Sequence, residues 1–246
     1  MARLPRDRAA RRRDQPRRDG RRLRRHGRHR RGVTAHRTLV LVRHGRTAWN
    51  AEQRAQGHSD VPLDEVGHRQ AAALAPAIAA LSPVSLRTSD LTRARQTAAY
   101  LAEATGLVPV EDPRLREYDL GLRTGMTMPE YAEAFPDEYA AFRQGRYEVV
   151  PGGESTAEVV ARVCEAACES FEALTPGECG VVVAHGAALK VSVVSLLGWD
   201  ESQAATLQGL DNCGWVVLDD SGHDWRLRLV AYNRTAPDFA SPSPIG

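Results

Sequence analysis

Two histidines stand in the same setting. His44 follows the apolar run Thr38-Leu39-Val40-Leu41-Val42 with only Arg43 between, His185 ends Gly180-Val181-Val182-Val183-Ala184, and a glycine comes directly after each. Runs of this kind read as buried parallel strands, and open α/β sheets take ligands beyond the carboxyl ends of their strands. The pattern therefore brings two imidazoles to the mouth of one site, with His44 as candidate nucleophile. Arg43 and Arg93 add two guanidiniums. Such a set asks for a small, multiply charged anion, because arginine forks match phosphate oxygens two at a time and each charged bond contributes about 1.5–3 kcal/mol. The glycines let backbone N–H groups come close to an anion. A metal held by the two histidines is the competing reading, but a cation beside Arg43 and Arg93 would be repelled by about 4 kcal/mol per close unit charge at an effective dielectric near ~20. No metal and no cofactor are expected. Context carries the signal, since Arg25-His26-Gly27 repeats the tripeptide with no strand before it.

The elements that must position these groups alternate between short apolar strands and helical periods, which implies an α/β fold of three α/β/α layers around a mostly parallel sheet. The spacing predicts a strand over 38–43 and a helix over about 65–81, capped by Asp64 and strained by Pro76. A short strand over 84–88 leads through Ser89-Asp90 to a helix from Leu91 to Thr105 that stops at Gly106. Val108-Pro109-Val110 reads as an edge strand, because proline cannot donate to a central ladder. Between Glu117 and Gly153 the period is poor. One helix is expected from Pro129 to Phe142, as a small cap that ends at Pro151-Gly152-Gly153. Ser155 and Glu158 form a capping box for a helix to about Leu174. The strand before His185 is followed by helices over 187–197 and near 201–207, then by strands near 213–218 and 225–231.

Composition divides the chain. Residues 1–37 hold sixteen arginines against three aspartates, a net of +13, which leaves about −11 of the whole-chain +2 for residues 38–246. The first segment has too little apolar surface to offset ordering entropy, so it reads as a disordered basic arm, and an over-extended start codon would produce the same string. Such an arm binds nucleic acid or anionic surfaces where it has a role, but the domain it precedes is acidic, so no nucleic-acid partner is expected. Residues 38–235 suffice for one packed domain, and 236–246 read as an irregular tail. There is no apolar segment of membrane-spanning length and no apolar core for a signal peptide, so the expectation is a cytoplasmic protein acting on a small phosphorylated molecule. The oligomeric state is left open, a homodimer included. Cys164, Cys168, Cys179 and Cys213 lack metal-ligand spacing and read as free thiols. Arginine abundance needs discounting throughout, since Lys190 is the only lysine.

Taken together, Leu41-Val42-Arg43-His44-Gly45-Arg46-Thr47 with Asn50, Gln56-Gly57-His58-Ser59-Asp60-Val61-Pro62-Leu63, Ser89-Asp90-Leu91-Thr92-Arg93-Ala94-Arg95, Leu115-Arg116-Glu117, Pro151-Gly152-Gly153-Glu154-Ser155 and Val183-Ala184-His185-Gly186 resemble the histidine phosphatase superfamily, the phosphoglycerate-mutase-like group, over 38–235. The resemblance implies that His44 is phosphorylated while Arg43, Arg93 and His185 hold the phosphate oxygens. It further implies that Glu117 protonates the leaving oxygen and that Asn50 and Gly186 give further contacts. Thr47, Gln56 and Gly57 would line the same site. The chain departs from the pattern at Arg46 and at Gly121-Leu122-Arg123-Thr124-Gly125, and these arginines, with Arg116, would suit a substrate with a second acidic group. A mutase in this family carries a long basic cap. Here Arg143 and Arg146 face Glu130, Glu133, Asp137, Glu138 and Glu148, so a phosphatase is expected over a mutase or an inactive phosphate-binding module. Leu207–Trp215 and Trp225–Arg228 resemble the branch that acts on glucosyl-3-phosphoglycerate.

Overall fold

The computed structural model describes residues 35–143, 150–221 and 227–237. Six strands form one sheet: β1 (Thr38–Arg43), β2 (Ser85–Thr88), β3 (Val110–Glu111), β4 (Cys179–Ala184), β5 (Trp215–Asp219) and β6 (Arg228–Arg234), in the order β3-β2-β4-β1-β5-β6. β1, β2, β3 and β4 run parallel, while β5 and β6 are antiparallel additions at one side. β4 is buried along its whole length and lies with β1 in the middle of the order. That is why both read as unbroken apolar runs.

Alternation along the central strands builds two cores. Leu39, Leu41, Val182 and Ala184 face helices α6 (Thr156–Glu172) and α7 (Gly186–Leu196), where Val159, Val163, Leu189 and Val193 meet them. Val40, Val42, Val181 and Val183 face α2 (Glu65–Ala79) and α3 (Thr92–Thr105), against Leu74, Ile78, Ala98 and Leu101. These are the three expected layers. The β1–β4 register pairs Leu41 with Val182 and Arg43 with Ala184, so one step further along both strands sets His44 beside His185. The convergence of the two histidines is a consequence of strand register.

Most predicted elements fall within a few residues of their places. Pro76 lies inside α2 without ending it, Gly106 closes α3 in the left-handed conformation at φ 74°, and Ser155 with Glu158 caps α6 reciprocally. β3 is an edge strand but begins at Val110, after Pro109. Four corrections have local causes. Residues 48–51 form a short helix, α1 (Ala48–Ala51), through a capping box between Thr47 and Asn50 that lacks the apolar period of a longer helix. The single helix expected in the cap is two, α4 (Met128–Ala134) and α5 (Pro136–Arg143), because Pro136 supplies no N–H and starts a new helix. The helix near 201–207 is a 3-10 turn, Glu201–Thr206. The last strand covers Arg228–Arg234 rather than 225–231. The arm through residue 34, Arg146 and Glu148 of the cap, Trp225 and Arg226, and the tail from 238 lie outside the described residues. The four cysteines are free, with Cys179 and Cys213 buried and Cys168 exposed.

Candidate active site

His44 and His185 sit with ring centroids 5.1 Å apart, both almost wholly buried. His44 Nδ1 lies 2.7 Å from the carbonyl oxygen of Gly45. A carbonyl only accepts, so Nδ1 carries the proton and Nε2 of the neutral ring keeps its lone pair. Burial, with Arg93 and Arg43 close by, holds the His44 pKa well below the ordinary imidazole value. The ring is therefore neutral at physiological pH. Gly45 has a different task from the one its sequence position implied. Its N–H donates to Thr97 Oγ1 at 3.0 Å, and an added Cβ would come within 2.7 Å of the Gly67 carbonyl oxygen. The glycine allows the strand end to pass the first turn of α2, and this fixes His44.

Arg93, fully buried, is anchored through three nitrogens. Nε donates to His185 Nδ1 at 3.2 Å, and the two terminal nitrogens donate to the carbonyls of Ser59 at 2.7 Å and Gly57 at 2.8 Å. A guanidinium has five N–H bonds, so one remains on each terminal nitrogen. Burial lowers its pKa to about 10, and the side chain stays charged. His185 Nε2 lies 2.9 Å from Ser89 Oγ. With Nδ1 accepting from Arg93, the proton of the neutral ring belongs on Nε2, and burial and Arg93 likewise depress this imidazole. Both of its nitrogens are thus engaged within the protein, where the resemblance had them on phosphate. Arg43 donates to the Leu210 carbonyl, and its Nε is buried without a partner. Such an orphan costs about 1–3 kcal/mol. Gly186 makes room for this guanidinium, since a Cβ there would stand 3.0 Å from Arg43 Nε.

Glu117 reaches the site from the loop after the 3-10 turn Pro113–Leu115. Its carboxylate accepts from the backbone N–H of Ala187 at 3.0 Å, Ala188 at 2.8 Å and Tyr118 at 3.0 Å. A negative group at the first turn of α7 is favoured by the unpaired N–H groups there. Asn50 Oδ1 accepts from Thr47 N–H at 3.1 Å and Asn212 Nδ2 at 3.2 Å, which leaves the amide NH2 as the free end. These groups surround a cavity of about 180 Å³ lined by Arg43, His44, Asn50, Gln56, Gly57, Arg93, Glu117 and Arg123, among others. Arg54 is also in the wall, tied to Glu130 at 2.7 Å. Among the described residues no group of three or more His, Cys, Asp or Glu side chains is placed to hold a metal.

Three expected substrate contacts are engaged elsewhere. Arg46 Nε pairs with Asp64, the cap of α2, at 2.8 Å. Arg116 pairs bidentately with Asp90, Nε to Oδ1 at 2.8 Å. Neither lines the cavity. Thr47, fully buried, spends its hydroxyl on Asn50 and Gln56 and so orients those two. Arg123 does line the cavity, its guanidinium 4.3 Å from the Phe142 ring centre. Sequence reasoning did not single out Ser89, Asn212 or Arg54, although the first two lie within quoted motifs.

An α/β sheet whose two central strands end in paired buried histidines, one of which opens on an arginine-lined cup, defines a class of phosphate-ester enzymes. The family model of the histidine phosphatase superfamily (branch 1) matches residues 39–233, and the chain belongs to that family, as a phosphomonoesterase of the phosphoglycerate-mutase-like type. It is 37% identical over 216 residues to the glucosyl-3-phosphoglycerate phosphatase of Mycobacterium tuberculosis, covering 81% of this chain and 96% of that one. It is 39% identical over 191 residues to the probable phosphoglycerate mutase GpmB of Cronobacter sakazakii, covering 76% and 86%. The solved structure of a mycobacterial glucosyl-3-phosphoglycerate phosphatase complexed with VO3 superposes with a TM-score of 0.72 at 35% identity, over 81% of this chain and all of the other.

Proposed function

We propose that the protein hydrolyses a small acidic phosphomonoester in the cytoplasm through a phosphohistidine at His44, with glucosyl-3-phosphoglycerate as the substrate of first choice. The observation that carries this reading is the tautomer of His44: the Gly45 carbonyl holds the proton on Nδ1, so an unprotonated Nε2 stands in a cup lined by Arg43 and Arg93. His44 Nε2 attacks phosphorus in line. The N–P bond forms as the ester P–O bond breaks, and the leaving alkoxide takes a proton from Glu117, which enters this step in its carboxylic-acid form and returns to the carboxylate. A water molecule then gives its proton to Glu117 as its oxygen attacks the phosphohistidine, the P–N bond breaks with its electron pair returning to Nε2, and phosphate is released. Positioning and charge stabilisation do most of this work, and the covalent intermediate divides one displacement into two. Arg43, with its unpartnered Nε, and the two remaining N–H bonds of Arg93 stabilise the equatorial oxygens, and Asn50 adds an amide donor. His185 holds Arg93 in place as its neutral acceptor.

Hydrolysis is favoured over mutase chemistry by the cap. A mutase must retain a bisphosphorylated intermediate, yet the described part of the cap offers Arg143 against Glu130, Glu133, Asp137 and Glu138. The test is a panel of phosphoglycerates, glucosyl-3-phosphoglycerate, sugar phosphates and nucleotides with analysis of products. Free phosphate from the carboxylated esters is the expected result; isomerised ester without phosphate release would overturn the hydrolase reading.

A further inference from the structure

Beside the small cup lies a second cavity of about 700 Å³, and the two share Tyr118, Leu120, Arg123 and Ala187 in their walls. Organic ligands occupy pockets of about 300–1,000 Å³, so the larger chamber has the size and the position for the alcohol half of an ester whose phosphate sits over His44. Much of its wall is apolar, with Phe142, Val150 and Val191. Two of its three acids are already used, and the third, Glu201, is exposed at the start of the 3-10 turn. Glu154 is held by Arg162 at 2.7 Å and accepts the Asp119 N–H at 2.8 Å, while Asp119 accepts from Gly121 N–H at 2.9 Å.

Lys190 differs. It is the only lysine of the chain, half-buried in this wall, and it makes no ion pair or hydrogen bond with a described residue. It stands on α7 one turn beyond Ala187, about 4.5 Å further along the axis, and Val191 beside it faces the same chamber. The helix whose first turn holds the Glu117 carboxylate thus carries a second group, a cation without a partner, to the leaving-group side. The Arg123 guanidinium marks the border between the chambers. We infer that Lys190 is a specificity residue that binds a carboxylate on the alcohol half of the substrate, so that the enzyme selects carboxylated phosphomonoesters over neutral ones of equal size. This rests on the phosphatase reading given above and assigns the acidic preference to Lys190, not to Arg46 or Arg116, whose charges are spent on Asp64 and Asp90.

The matched probes are 3-phosphoglycerate and glycerol 3-phosphate, which differ by a carboxylate in place of a hydroxymethyl group, with glucosyl-3-phosphoglycerate as a larger carboxylated ester. Lys190→Met is expected to lower the ratio of kcat/KM for carboxylated over neutral ester by about 10-fold to 100-fold, the range of a charge-assisted bond, mainly through KM for the carboxylated ester. Lys190→Arg is expected to restore most of the ratio, and Lys190→Glu to depress it below the Met variant. A ratio that stays within twofold of wild type in the Met and Glu variants would overturn the inference. So would parallel loss on both probes that Arg does not rescue, which is the mark of a structural role. Failure of the phosphatase reading shows separately, as wild-type enzyme that releases no phosphate from either probe.

Discussion

At the scale of single residues, type and spacing gave the charges, and only the structure gave their partners. Arg93 and Arg46 are the same residue in the sequence, yet Arg93 is locked by His185 and two carbonyls whereas Arg46 is taken by Asp64. No local pattern distinguishes them, because the carboxylate that consumes the Arg46 guanidinium lies eighteen positions away. Asn212 and Ser89 escaped notice for the same reason: their work is to orient Asn50 and His185. Glu117 has the role most exposed to test. Glu117→Gln keeps acceptor and donor atoms of similar size but cannot exchange the proton, and is expected to slow esters with poor leaving groups by about 10²–10⁴ while aryl phosphates suffer less. Equal loss on both would place Glu117 outside proton transfer. The two depressed histidines also set a pH dependence of stability. Unfolded, each binds a proton near pH ~6.5; folded, each does so only well below, so the unfolded state holds more protons as pH falls and stability falls with it. Urea unfolding is expected to show a loss below pH ~6.5, at most about 1.4 kcal/mol per pH unit for each histidine. His44→Asn should flatten that slope, and an unchanged slope would contradict the assignment.

Elements were legible where burial was uniform. β1 and β4 are covered on both faces and read as continuous apolar runs, and their parallel register then dictates that His44 and His185 meet. The cap was less legible because its two helices bury little, one described residue each in Tyr131 and Ala141, and Pro136 divides what composition alone joins. The placement of His44 depends on a close crossing between the end of β1 and the start of α2. A Cβ on Gly67 would lie 2.0 Å from the Arg46 carbonyl oxygen, a backbone atom that has nowhere to go. Gly67→Ala is therefore expected to cost about 1–3 kcal/mol in urea unfolding, the range of overpacking, and to reduce kcat by displacing residues 43–47. Gly106→Ala supplies the contrast. Its φ of 74° makes alanine unfavourable, but no atom lies within 4 Å, so it should lose stability without losing activity. Equal effects on kcat would dissociate the crossing from catalysis.

The whole molecule joins two unlike charge regimes, an arginine-rich first segment of +13 and an acidic remainder of about −11. The catalytic cup makes its own local field from Arg43 and Arg93, and every residue that lines it lies between Arg43 and Ala187. A chain beginning at Thr34 is accordingly expected to keep its kcat/KM, with no added dependence on salt; a marked loss would give the basic segment a part in catalysis. Among the described residues no helix is long and apolar enough to cross a membrane. The central claim is a covalent one, that phosphorus passes through Nε2 of His44. Rapid quench of the enzyme with ³²P-labelled 3-phosphoglycerate, followed by peptide mapping, tests it directly. Acid-labile, base-stable label on the peptide carrying His44, absent in His44→Ala, is the expected outcome. Turnover at the wild-type rate with no label on His44, or label that survives in His44→Ala, would contradict it.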